Sequence, residues 1–237
     1  MTAIAHKPVC VVVGVGPGNG EALATAFCDA GYAVALLARQ ATYCAALAAR
    51  LPDARAYVCD AADGAAVEGT FSRIVEEIGD VDTLVYNAGK GAWGAIDEID
   101  EHDFEDAWRT GALGLFFTAR RVIPAMKMRG AGNIVVISAT ASRRGGARAA
   151  ALASAKMAQR ALAESMARHL GPLGIHVSLL VLDGRVGGRD DSTRLRDRPG
   201  GTFIDPRAVA GAALQSTLQD RSAWSFESDL RPYDETW

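Results

Sequence analysis

The sequence has no run of about 20 apolar residues, so no membrane-spanning helix is expected. It also lacks an excess of charge of one sign. Its 25 Lys and Arg face 28 Asp and Glu, and a net charge of −3 offers nothing to a nucleic-acid backbone or an anionic lipid surface. Met1–Lys7 does not read as a signal peptide, and a cytoplasmic location is expected. The four cysteines, Cys10, Cys28, Cys44 and Cys59, form no Cys-x-x-Cys pair. They read as reduced thiols in or near the core. His6, His102, His169 and His176 are scattered without ligand spacing, so no metal site is expected.

What is present is a repeating alternation. At 237 residues the length alone fits one α/β domain or two small ones. Short apolar runs rich in Val, Ile and Leu predict strands at 9–13, 33–38, 56–59, 83–86, 133–138, 176–182 and 224–227. Helical stretches separate them, at 20–30, 42–50, 64–78, 101–128, 147–170 and 206–218. In the fifth helix Ala151, Ser154, Ala155, Ala158, Ala161 and Ser165 recur at helical spacing. They give either a smooth face for close approach or simple helix propensity. Such alternation predicts a doubly wound parallel sheet of about seven strands with helices on both faces. No linker divides it, so a single domain over 1–237 is expected. One long irregular segment, 184–205, is polar, glycine-rich and lid-sized; it follows a strand and is expected at the ligand-binding edge of the sheet, or is a surface loop.

The first strand runs into Gly14-Val-Gly16-Pro17-Gly18-Asn19-Gly20 and then a helix. Glycines allow a tight turn and remove side chains that would block a pyrophosphate; the helix start adds free N–H groups and partial positive charge. Three further stretches occur in order: Cys59-Asp60-Ala61 after the third strand, Asn87-Ala88-Gly89 after the fourth, and Lys156 on the fifth helix. Together these resemble the short-chain dehydrogenase/reductase (SDR) family over residues 8–230. The resemblance implies a Rossmann fold and a nicotinamide dinucleotide. Asp60, with Ala61, would accept from the adenine amino group, and Lys156 would hydrogen-bond the ribose. The implied cofactor set extends to Ser138, Asp183, Gly184 and Val186. The second strand ends at Arg39 where an acidic residue would bind a ribose 2′-hydroxyl; a guanidinium there pairs with a 2′-phosphate, favouring NADP(H) over NAD(H). A homo-dimer or homo-tetramer built on the fourth and fifth helices is also implied. Tyr233 and Trp237 are expected to pack on a neighbouring subunit.

The same resemblance exposes a gap. The family's catalytic tyrosine, four residues before the lysine, is Leu152 here. The serine thirteen residues earlier is Ala139, and the asparagine of the preceding helix is Gly111. All five tyrosines lie outside 100–200. A positioned general acid contributes about 10²–10⁴-fold, and leucine neither titrates nor hydrogen-bonds. Lys156 is the one member of the implied catalytic set still present. Candidate substitutes are Ser138, Thr140, Ser142 and Ser154, each equally readable as a structural hydroxyl, and Asp183, readable as an acid or a turn former. Arg143, Arg144 and Arg148 fit either an anion-binding rim or a solvated loop. Trp93 reads as a pocket wall or as packing. Two functions follow: an atypical NADP(H)-dependent oxidoreductase of carbonyls or alcohols, its substrate unspecified, or a nucleotide-binding protein without turnover.

Overall fold

The structure, a computed structural model, describes residues 7–187 and 203–234. Seven strands form one parallel sheet in the order β3-β2-β1-β4-β5-β6-β7. In chain order the elements are β1 (Val9–Val13), α1 (Asn19–Asp29), β2 (Ala33–Ala38), α2 (Ala41–Ala48), β3 (Ala54–Val58), α3 (Gly64–Glu77), β4 (Val81–Tyr86), α4 (Glu101–Trp108), α5 (Gly114–Arg129), β5 (Gly132–Ala139), α6 (Ala150–Leu170), β6 (Ile175–Leu182), α7 (Pro206–Thr217) and β7 (Glu227–Leu230).

Strand side chains alternate between two helix layers. On one face Val11, Val13, Leu84, Tyr86, Ile134, Val136 and Leu179 pack against α3, α5 and α6. On the other, Cys10, Val12, Leu36, Val85, Ile137 and Leu180 pack against α1, α2 and α7. Central strands buried on both faces explain why their sequences are continuous apolar runs. All four cysteines are buried. Burial pushes the Cys10 thiol up and Cys28 to about 11, so both stay protonated at neutral pH.

Three expectations need correction. β3 starts two residues early and ends at Val58, not Cys59. The last strand is Glu227–Leu230, not 224–227. Trp224 instead stacks on His176, ring centroids 4.7 Å apart, and donates its indole N–H to Gln219 O. The expected helix 101–128 is broken by a π turn at Arg109–Leu113. Its cause lies on β4: the buried Tyr86 hydroxyl donates to Thr110 O and occupies the space a side chain at position 114 would need. The turn is wide because a phenol is wedged beside it.

Candidate functional site

The strand order reverses where β1 lies beside β4, and the carboxyl ends of these two strands open the crevice such sheets use for ligands. Leaving β1, the chain turns at Gly14, whose φ is +89°. A Cβ there would stand 2.6 Å from the Ala88 backbone, so only glycine lets the two loops touch. Asn87 locks the contact: its Nδ2 donates to Gly14 O at 2.8 Å and its backbone N–H to Val13 O at 2.9 Å. Gly20 repeats the logic, since a Cβ would meet Gly14 O and Val15 Cα at 2.7 Å. Gly16 and Gly18 differ: a Cβ at either would meet nothing within 4 Å. At Gly16 this bareness keeps a cavity open, while Gly18, at φ +99°, is also required by its backbone conformation.

That cavity, about 360 Å³, is lined by Gly14, the stretch 16–20, Asn87, Val186 and Gly187. No side chain caps the start of α1; Glu21 N–H is taken by Gly16 O at 3.0 Å, and the amides ahead of it are left for a ligand. Asn19 Oδ1 is buried there without a hydrogen-bond partner. A second cavity of similar volume continues from Gly14 past Arg39 and Gln40 to Asp60, Ala61, Ala88, Gly89 and Thr110. Arg39 is exposed at one end. Asp60 Oδ1 accepts from Ala62 N at 2.9 Å, which fixes the loop after β3. Gly187, Gln40 and Thr110 were not anticipated. Gly187 follows Val186, which bridges Ile204 and so ties together the two ends of the long segment after β6. Most of that expected lid, 188–202, lies outside the described residues, as does Trp237. Tyr233 is exposed.

Beyond Gly89 stands Lys156, on α6. A Cβ at Gly89 would lie 3.6 Å from its Nζ. The ammonium is buried and donates to Ile137 O at 3.1 Å and Gln159 Oε1 at 3.0 Å. Burial pushes its pKa down to about 8. Leu152 and Ala139 are half-buried nearby in sequence, on α6 and at the end of β5, and neither lines the two cavities. Gly111 sits inside the π turn, where a Cβ would be 3.2 Å from Ala155 Cβ. A longer side chain there would push α6 outward.

The candidate substitutes are mostly engaged. Ser142 donates to Ala139 O, Ser154 to Ala150 O, and Thr140 to Asp183 Oδ1 at 2.5 Å. Asp183 Oδ2 also faces Arg231 at 3.5 Å. Arg143 pairs with Glu227 and Asp229, and Arg148 with Glu98 at 2.8 Å. Arg143 and Arg148, readable as an anion-binding rim or a solvated loop, are thus held by carboxylates of β7 and of the loop after β4. Ser138 Oγ is the exception, buried without a partner. Trp93 is 68% exposed and so is not core packing. No cluster of three metal-ligating side chains occurs among the described residues.

Comparison with known proteins gives one consistent result. Residues 8–184 match the family model for short chain dehydrogenase. The chain is 26% identical to a sepiapterin reductase of Chlorobaculum tepidum, covering 95% of this chain and 96% of that protein. Among solved structures, a metagenomic short-chain oxidoreductase in complex with NADP superposes with a TM-score of 0.82 at 25% identity, covering 95% and 96% of the two chains. An alcohol dehydrogenase from the archaeon Thermococcus sibiricus, complexed with 5-hydroxy-NADP, gives 0.85 at 25% identity over 97% and 98%.

Proposed function

The chain belongs to the short-chain dehydrogenase family, and from that premise we propose that it is an atypical NADP(H)-dependent oxidoreductase acting on a carbonyl or alcohol. The observation that carries the reading is the continuous crevice from Val186 through the glycine turn to Arg39, with Lys156 behind Gly89. The residues fit a dinucleotide on grounds internal to this chain. Gly16 and Gly18 leave open space, the start of α1 is uncapped, and the orphaned Asn19 Oδ1 awaits a donor. The similar proteins solved with NADP or 5-hydroxy-NADP support the same choice.

When bound, the nicotinamide supplies or accepts the hydride. This chain's residues do the rest. The first α1 amides would hold the pyrophosphate, Arg39 would pair with the 2′-phosphate, Asp60 and Ala61 would receive the adenine, and Lys156 would donate to the ribose. Leu152, Ala139 and Gly111 offer no proton, so it comes from solvent or from the substrate. Proximity and orientation remain available to such a site and are worth several kcal/mol.

A second reading, nucleotide binding without turnover, is favoured by one specific observation: the hydroxyls of Thr140, Ser142 and Ser154 and the Asp183 carboxylate are already committed to protein partners. Calorimetry followed by stopped-flow separates the two. Tight NADPH binding with oxidation above the buffer rate on a carbonyl panel is the expected result. Binding without oxidation favours the second reading, and no binding overturns both.

The chain also fits a homo-oligomer. Phe104, Trp108, Phe116 and Met157 leave apolar surface exposed along α4, α5 and α6. Sedimentation as a monomer at micromolar concentration would refute this.

A further inference from the structure

Gln159 lies three residues after Lys156 on α6, so the two side chains share a helix face. It is 0% exposed. An amide buried this deeply is costly unless all its groups are satisfied. Gln159 gives its amide nitrogen and its amide oxygen one partner each, on two different elements. Its Nε2 donates to Gly111 O at 3.0 Å, and its Oε1 accepts from Lys156 Nζ at 3.0 Å. Only one orientation of the amide works. Reversed, it would set NH₂ against an ammonium and oxygen against a carbonyl. The π turn is what presents the Gly111 carbonyl to α6.

We infer that Gln159 is a positioning residue: it ties Lys156 to the π turn and leaves one ammonium hydrogen for a ligand beside Gly89. Lys156 has two protein acceptors among the described residues, Gln159 Oε1 and Ile137 O, while an ammonium has three donors. The role of that third donor rests on the cofactor reading above; the tie itself does not. A neutral amide also accepts without supplying a counter-charge, so it fixes the place of the ammonium while leaving it easy to deprotonate. The charged groups on the surrounding elements are engaged elsewhere. Lys90, after β4, is held by Asp103 and Asp106. Arg109 of the π turn lies near Glu105, and Arg160 of α6 pairs with Glu227. The buried Tyr86 hydroxyl donates to Thr110 O. None of them contributes to the low proton affinity of Lys156, which burial alone explains.

The test is NMR of the full chain carrying ¹³C-labelled lysine side chains, with Lys156→Met assigning the signal, in the absence of any ligand. Wild-type Lys156 is expected to titrate near 8. Gln159→Glu, nearly isosteric, is expected to raise the midpoint by about one pH unit or more, because a carboxylate stabilises the ammonium. Gln159→Leu should lower it. A wild-type midpoint at the ordinary lysine value overturns the inference before any variant is made, as does a Gln159→Glu midpoint equal to wild type. Calorimetry with NADPH then separates the two claims. Weaker binding by about tenfold in Gln159→Leu is expected, because an ammonium no longer held by Gln159 loses the alignment of its remaining N–H toward the ligand. Midpoints that move while NADPH binds to no variant leave the Gln159 tie standing and remove the cofactor reading. Unchanged NADPH affinity in Gln159→Leu overturns the ligand-facing role.

Discussion

The two sides of the crevice are built differently. Around the glycine turn, packing and open space sit side by side: Gly14 and Gly20 are required by backbone contacts under 3 Å, while Gly16 and Gly18 between them leave room. Around Leu152, Ala139 and Gly111 the side chains are small or apolar, and the polar groups nearby bond to protein, apart from the unpartnered Ser138 Oγ. The first region keeps its shape for a ligand. The second keeps its shape for itself, with Lys156 as the one buried Lys or Arg among the described residues, standing between them. Fold stability thus holds Gly14 and Gly20 in place, whereas it places no such demand on a proton-transfer group at positions 111, 139 or 152.

The sharpest challenge to this contrast is to refill the vacant side. Leu152→Tyr combined with Ala139→Ser is expected to raise turnover with NADPH and a reactive carbonyl by about 10²–10⁴-fold. No gain, with NADPH still bound, would mean that the second region has lost its geometry as well as its acid. Next comes the cradle. Gly14→Val adds a side chain at φ +89° against Ala88 and should cost about 3–5 kcal/mol in urea unfolding. Gly16→Ala should leave stability within about 0.5 kcal/mol while weakening nucleotide binding. Equal destabilisation by both would erase the distinction between packing and space-keeping glycines.

The buried lysine provides a pH test. Its proton affinity falls from 10.5 in the unfolded chain to about 8. Between these values the unfolded state binds more protons, so folding stability rises with pH, by roughly 3 kcal/mol across the window. Below about pH 8 the full penalty applies. The stability of wild type relative to Lys156→Met should therefore increase between pH 7.5 and 10.5 by about that amount; a flat difference would place the ammonium in water. The smallest effect concerns cofactor choice. Arg39→Ala should weaken NADPH by about 10–100-fold and leave NADH nearly unchanged, a loss of charge-assisted hydrogen bonding that paired calorimetry would read.

Much of the fold was legible because its causes are local. Strands buried on both faces must be apolar throughout, and a strand that ends in closely spaced glycines must turn. The misplaced last strand shows the limit. Residues 224–227 carry an apolar and aromatic signal, but Trp224 is consumed by stacking on His176, and pairing with β6 shifts to the charged Glu227–Leu230. Toward the proposed site, the Gly14–Gly20 turn stood out by its glycine spacing, and Asp60 and Asn87 by their resemblance to the family's pattern. Gln159 was missed although it stands three residues from Lys156; the signal was there, but nothing local says that the position is buried.

By itself the sequence determined the alternating architecture, the glycine turn and the absence of a titratable group at positions 111, 139 and 152. These are properties of residue type and of periodicity within one element. Tertiary structure alone decided the rest. The π turn depends on Tyr86, reaching Thr110 from 24 positions away. The Gln159 amide meets Gly111 across 48 positions, and Arg143 is drawn to Glu227 across 84. Such pairings are chosen by where the packed sheet brings its helices together, and no spacing along the chain encodes that distance.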